Sequence, residues 1–227
     1  MSDLQGIFLD FYGTLVGGDR EAVEAVCQAV IDDHKLKASA TEIAVDWGLK
    51  YFQAIESQNG DSFRTLLQIE YDTLIDTIFP LTGRVEVGSY IRVLNEYLAR
   101  PVLFEEVTEV LARLNIPVCI VSNADERELR LALDHLGLHF DRVVTSERAK
   151  CYKPNTGIFE YALELTGWAA DRVVHVGDSL HSDVDGARRA GLRAAWVNRG
   201  DRISDIGNAV PDYTWSDLRP MTKLMLD

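Results

Sequence analysis

The chain has 227 residues, 47% of them hydrophobic and 26% charged, with 36 acidic residues against 23 Lys plus Arg and a formal net charge of -13. That apolar content, a mean hydropathy of -0.06 and only six Pro exclude a disordered or collagen-like chain. At roughly 100 to 200 residues per domain, the length holds one full-size domain plus a smaller unit, and not two large ones. Affinity for phosphodiester backbones and anionic headgroups is carried by Lys and Arg clusters, so neither nucleic acid nor a membrane is an expected partner. A small anionic substrate requires a site made locally electropositive against the global sign.

The opening MSDLQGIFLDFY has neither a basic stretch nor a long apolar one, and no run approaches the ~20 apolar residues of a membrane helix, which predicts a cytoplasmic protein. Cys27, Cys119 and Cys151 are odd in number and lack CxxC spacing, so they read as reduced thiols, with Cys119 as core filler.

In chain order, the first element is the short apolar and aromatic run 6–12. It reads as a buried strand stopped by a tight turn at Gly13 and Thr14. Helical spacing then covers 20–33, 41–57, 62–79 and 88–98 with no strand-like run between, and Gly17 and Gly18 mark a hinge at its entry. Beyond it, strand-like runs at 117–122, 142–145, 172–176 and 193–197 alternate with helical patterns at 105–114, 126–136, 158–166 and 183–190. This alternation predicts an α/β fold, a doubly wound parallel sheet of Rossmann-like type, with an α-helical cap inserted after the first strand. The core is expected to comprise 1–16 and 101–227 and the cap 17–100. The insertion lies where such sheets bind ligands, at the carboxyl ends of their strands.

Four segments place polar residues at those ends. In FLDFYGTL, Asp10 closes an apolar strand, a costly place for a carboxylate unless a metal or hydrogen bonds compensate; in isolation Asp10 and Thr14 also read as turn or cap residues. In CIVSNADERE, Ser122 and Asn123 are either a helix cap or donors for an anionic oxygen. In KCYKPN, Lys153 is a candidate cation, with Lys150 as competitor. In VVHVGDSLHSD, an apolar strand runs into Gly177, Asp178, Ser179 and then Asp183, two acids accompanied by Gly and Ser at the end of a core strand, which suit a hard divalent ion such as Mg2+. His175 reads as a core histidine and His181 as either bystander or substrate contact.

Together, in this order and with a helical insert after the first, these segments resemble the haloacid dehalogenase superfamily of hydrolases from Gly6 to about Arg199. The resemblance implies Asp10 as nucleophile, Ser122 as a ligand of the transferred group, Lys153 as charge balance, and Asp178 supported by Asp183 as Mg2+ ligands. Asp10 and the backbone carbonyl of Tyr12 complete the implied metal set, and Thr14, Ser122 and Asn123 the substrate-binding set. A carboxylate attacks a phosphate dianion poorly because like charges repel, so neutralisation by Mg2+ and Lys153 is physically required of such a site.

Tyr12 departs from the phosphatase pattern, which has a general acid/base Asp there. A phenol of pKa near 10 is a poor base, and losing a placed acid/base group costs ~10^2 to 10^4 in rate. The DxYGTL form and WVNR (196–199) are similar to the 2-haloacid dehalogenases, which need no metal; the acidic fourth segment is not. A carboxylate-binding cap in that branch has Arg64, Lys50, Trp47 and Phe52 as candidates. The leading expectation is an enzyme, a Mg2+-dependent phosphatase of a small phosphorylated metabolite, monomeric or homodimeric, with Asp10, Tyr12 and Lys153 as catalytic residues. The alternatives are a metal-independent 2-haloacid dehalogenase-type hydrolase and a weakly active binding or regulatory protein.

Overall fold

The computed structural model describes residues 4–83, 86–200 and 208–224. Strand β1 (Gly6–Leu9) runs into an irregular segment and then a two-residue strand, β2 (Val16–Gly17), which leads into four helices: α1 (Asp19–His34), α2 (Ala40–Ser57), α3 (Leu66–Thr82) and α4 (Gly88–Ala99). The chain returns through β3 (Val102–Leu103), which pairs antiparallel with β2. Exit and re-entry of the helical insert therefore share one short ribbon. Gly17 belongs to that ribbon and is no hinge: a Cβ there would meet the Phe104 ring at 2.7 Å. Gly18, at φ +103, makes the turn into α1.

After the ribbon come α5 (Val107–Arg113), β4 (Val118–Ser122), α6 (Glu126–Leu136), β5 (Arg142–Thr145), α7 (Ser146–Ala149), α8 (Gly157–Thr166), β6 (Val173–Gly177), α9 (Gly186–Arg189), β7 (Arg193–Val197) and β8 (Tyr213–Trp215). The sheet order is β5-β4-β1-β6-β7-β8 with every pairing parallel, the doubly wound arrangement expected from the alternation. Order reverses on either side of β1, since β4 lies on one flank and β6 on the other, and the crevice at such a reversal is where these sheets hold ligands. Burial explains the apolar runs: Ile7 and Leu9 pack with Val107, Val110, Leu129 and Ala132 on one face, while Phe8 packs with Ile158, Phe159, Ala162 and Ala187 on the other. Cys119 fills the second of these cores, as its composition suggests.

The helical insert has its own core of Val26, Val30, Ile43, Trp47, Leu74, Ile78 and Ile91. Helix α3 begins at Leu66 and not at 62, because Thr65 and Gln68 form a capping box and the Asp125 carboxylate accepts from the Leu66 and Leu67 amides at 2.9 and 3.0 Å. The predicted helix at 183–190 is a π-helical stretch, Leu180–Asp185, followed by α9. β8 was not legible because three half-exposed edge residues carry no periodicity. Among the described residues no helix is long and apolar enough to cross a membrane.

Candidate active site

Asp10 lies just past β1, where its amide still donates to the Val176 carbonyl of the neighbouring strand at 2.9 Å. The carboxylate is held by two groups: Lys153 Nζ at 2.6 Å from Oδ1 and Thr14 Oγ1 at 3.2 Å from Oδ2. The same Thr14 hydroxyl is 3.3 Å from Asp178 Oδ1, so one proton is shared between two carboxylates. Gly13, at φ +81, is the only residue type that fits between them, since a Cβ would come within 2.6 Å of Asp178 Oδ2. Arg199 fixes this turn from behind, stacking 3.6 Å from the Phe104 ring and donating to the Thr14 carbonyl at 2.9 Å and to the buried Glu106 carboxylate at 2.7 Å.

Lys153 is 2% exposed and donates to Asp10 Oδ1, to Asp183 Oδ1 at 2.6 Å and to the Val121 carbonyl at 3.0 Å, which uses all three ammonium protons. Burial alone would lower its pKa; the Asp10 and Asp183 carboxylates outweigh that and raise it, so it stays charged. Asn123 sets the position of this residue by clasping its backbone, accepting from the Lys153 amide at 2.8 Å and donating to its carbonyl at 3.1 Å. Lys150, the competing cation, is exposed, and its ammonium sits 4.9 Å from the Phe63 ring on the helical insert. Ser122, buried at the end of β4, adjoins Val121.

Asp183 is fully engaged by the protein. Oδ1 accepts from Lys153 and from His175 Nε2 at 2.8 Å, and Oδ2 accepts from the Ser179 amide at 2.9 Å. Burial favours its neutral form, but Lys153 and the His175 hydrogen bond hold it well below the usual carboxylate range. His175, read from sequence as core filler, is buried and also has this second role. Burial keeps its pKa below 6.5, so the neutral ring carries its proton on Nε2, facing the carboxylate, and Nδ1 has no partner among the described residues. Asp10, Asp178 and Asp183 are all buried, and one oxygen of each lies within 4.8 Å of the others. An all-oxygen donor set of this charge fits a hard divalent cation such as Mg2+.

The Tyr12 side chain is engaged by the insert. Its hydroxyl donates to the Leu98 carbonyl of α4 at 2.7 Å, and burial pushes the phenol well above its ordinary pKa. It ties the core to the insert. Other ties are the Asp125 clamp on α3, Tyr152 donating to the Arg64 carbonyl at 2.6 Å, and His181 with Glu56 of α2 at 2.8 Å, which makes His181 a seam residue. The insert's candidate anion ligands point elsewhere: Arg64 pairs with Asp72, Lys50 with Asp46, Trp47 donates to Thr73 inside the insert, and Phe52 is exposed. Glu70, which no sequence pattern flagged, is buried on the α3 face toward the core, and burial with Asp125 and Glu128 nearby pushes its pKa up to about 8.

These buried groups make stability depend on pH with opposite signs. His175 is neutral in the fold but takes a proton when unfolded, so its contribution is lost as pH falls through 6.5. Glu70 is protonated in the fold up to about pH 8 but ionises near 4.5 when unfolded, so its contribution is lost as pH rises between those values. Measured by urea unfolding, His175→Gln is expected to gain on the wild type as pH falls from 6.5 to 5, by up to about 1.4 kcal/mol per unit. Parallel profiles would show that His175 does not titrate on unfolding.

A doubly wound sheet with a buried carboxylate–lysine–carboxylate cluster at its strand reversal and helices folded over it defines a class of hydrolase. Residues 4–191 match the family model of haloacid dehalogenase-like hydrolases, and the chain belongs to that family, whose members act on small molecules. It is 28% identical to the pyrimidine 5'-nucleotidase YjjG of Escherichia coli over 98% of this chain and 89% of that one. It is also 24% identical to (S)-2-haloacid dehalogenase 2 of Pseudomonas sp. over 99% and 97%. The solved structure of the L-2-haloacid dehalogenase from Xanthobacter autotrophicus shares the fold at a TM-score of 0.78 and 19% identity, covering 98% of each chain.

Proposed function

We propose that the protein is a Mg2+-dependent phosphatase of a small phosphorylated metabolite, with Asp10 as nucleophile and 17–100 as the cap over its site. The observation that carries this reading is the convergence of three buried carboxylates, one oxygen of each within 4.8 Å of the others, with Lys153 paired to two of them, Asp10 and Asp183. Displacing halide from carbon calls for one carboxylate nucleophile; extra anions beside it would only penalise its ionised form. The Asp10 and Asp178 carboxylates and the Tyr12 carbonyl would hold the ion, whereas Asp183, already bonded by Lys153, His175 and Ser179, serves to place the lysine. Bound there, Mg2+ would withdraw charge from the phosphoryl oxygens, as attack on a phosphate dianion demands.

The residues divide the remaining work. An Asp10 oxygen forms a bond to phosphorus as the ester P–O bond breaks, giving an aspartyl phosphate on Asp10 that water then hydrolyses. Lys153 balances the charge that remains, while Thr14, Ser122 and Asn123 orient the transferred group. Because Tyr12 donates no proton to the leaving group, esters with good leaving groups are favoured over simple alkyl ones.

The test is p-nitrophenyl phosphate hydrolysis by the full chain. Turnover is expected with Mg2+ and to fall at least about 10^2-fold in EDTA, returning on Mg2+ addition. Turnover indifferent to EDTA, or EDTA-resistant release of halide from chloroacetate or fluoroacetate without phosphatase activity, would overturn the reading in favour of the dehalogenase branch represented by the Pseudomonas relative.

A further inference from the structure

Between α3 and α4 of the insert and the start of α6 lies a cavity of about 120 Å³, walled on the core side by the site residues Tyr12 and Asn123. Its other polar walls are Tyr51, Glu70, Asn95, Asp125 and Glu128. None of its lining residues is Lys, Arg or His, although the phosphatase reading places an anionic substrate next door. Glu70 is 5% exposed, and among the described residues no hydrogen bond or ion pair holds its carboxyl group, which faces the cavity. Asp125 spends both oxygens on the Leu66 and Leu67 amides, and Glu128 meets Arg127 only at the rim, where that arginine is 80% exposed. Of the three, Glu70 alone is buried without a donor, and burial beside the Asp125 and Glu128 carboxyls makes it costly to ionise, which is why it stays protonated in the fold at neutral pH. A cation in that space relieves the cost, and tyrosine rings in the wall are surfaces on which ammonium groups rest well.

We propose that this cavity receives a positively charged ammonium group on the leaving alcohol, so that the preferred substrates are phosphate monoesters of small amino alcohols. The proposal rests on the phosphatase reading for the ester and on the cavity for the amine. Three features of the site agree with it. The phosphoryl group is drawn to Lys153 and the carboxylate-held ion, while the acidic cavity draws the opposite end, so a zwitterionic ester is oriented by charge at both ends. The volume lies below the roughly 300–1,000 Å³ that drug-sized ligands fill, which suits a two- to three-carbon amine and not a nucleoside. A 2-haloacid, whose carboxylate would face Glu70, is disfavoured by the same field.

The experiment compares three probe esters with the Mg2+-loaded full chain: 2-aminoethyl phosphate, propyl phosphate and phosphoglycolate. The expected kcat/KM for 2-aminoethyl phosphate exceeds that for propyl phosphate by at least about tenfold, with phosphoglycolate lowest, a size of effect typical of one desolvated charge contact. Glu70→Gln is expected to bring the aminoethyl-to-propyl ratio close to one, and Glu70→Asp, which keeps a carboxyl group able to ionise against the incoming ammonium, to restore part of it. Equal ratios in the wild type, or a ratio untouched by Glu70→Gln, would overturn the proposal while leaving a phosphatase. If no ester is hydrolysed, the phosphatase reading fails separately, and the cavity is then decided by NMR saturation transfer with 2-aminoethanol and propanol. Binding of 2-aminoethanol alone, lost in Glu70→Gln, supports the ammonium site; absence of binding, or equal binding of propanol, overturns it.

Discussion

Asp10→Asn is expected to lower kcat for p-nitrophenyl phosphate by at least about 10^4-fold, the scale seen when a covalent nucleophile is removed. The amide is nearly isosteric and keeps an oxygen that can accept from Lys153, whose ammonium sits 2.6 Å from the carboxylate. The far-UV spectrum and cooperative unfolding should therefore be retained, and the loss would belong to chemistry and not to folding. Mass spectrometry of wild-type protein quenched during turnover should show a phosphoryl adduct on the peptide containing Asp10, absent from the variant. A variant retaining more than about a hundredth of the wild-type rate would rule out nucleophilic catalysis by this carboxylate and revive the reading of a weakly active binding protein.

Lys153→Met is expected to damage both stability and activity. The ammonium is the hub of a buried triad, and its removal leaves Asp10 and Asp183 facing each other without the cation they share. Breaking a buried ion pair from one side costs about 3–5 kcal/mol, which for a chain of this length corresponds to a melting temperature lower by roughly 10 °C. Loss of a placed positive charge at the reacting group should lower kcat by at least about 10^2-fold. Lys150→Met is the matched control: its ammonium rests on the half-buried Phe63 ring, worth about 1 kcal/mol or less, and neither the melting temperature nor kcat should move appreciably. Equal effects at the two positions would refute the assignment of Lys153.

The doubly wound core and its helical insert were legible because their signals are local. A strand buried on both faces must be apolar along its length, and a helix buried on one must repeat every 3.6 residues, so runs such as 118–122 and 126–136 declare themselves in any window. Asp10, Thr14, Ser122, Asn123, Lys153, Asp178 and Asp183 each read in isolation as turn, cap or solvated residues as readily as site residues, and only their joint order, mostly near the carboxyl ends of apolar strands, pointed to the resemblance.

What the order of residues could not contain is pairing across distance. Lys153 and Lys150 are equivalent in the chain; only the fold puts one of them 2.6 Å from a carboxylate 143 residues away and the other on a surface ring. Tyr12 reads in the sequence as a replacement for an acid/base Asp, and only the fold supplies the Leu98 carbonyl of α4 that accepts its hydrogen bond. His175 and Glu70 gave no motif at all. Their roles come from burial against Asp183 in one case and against Asp125 and Glu128 in the other. Thus the residue types and their order determined the sheet, the insert and the candidate chemistry, because periodicity and strand ends are properties of short segments. The tertiary structure alone decided which charges meet and which lie buried without a donor, because in a low-dielectric interior those energies depend on distances of a few ångströms between residues remote in sequence.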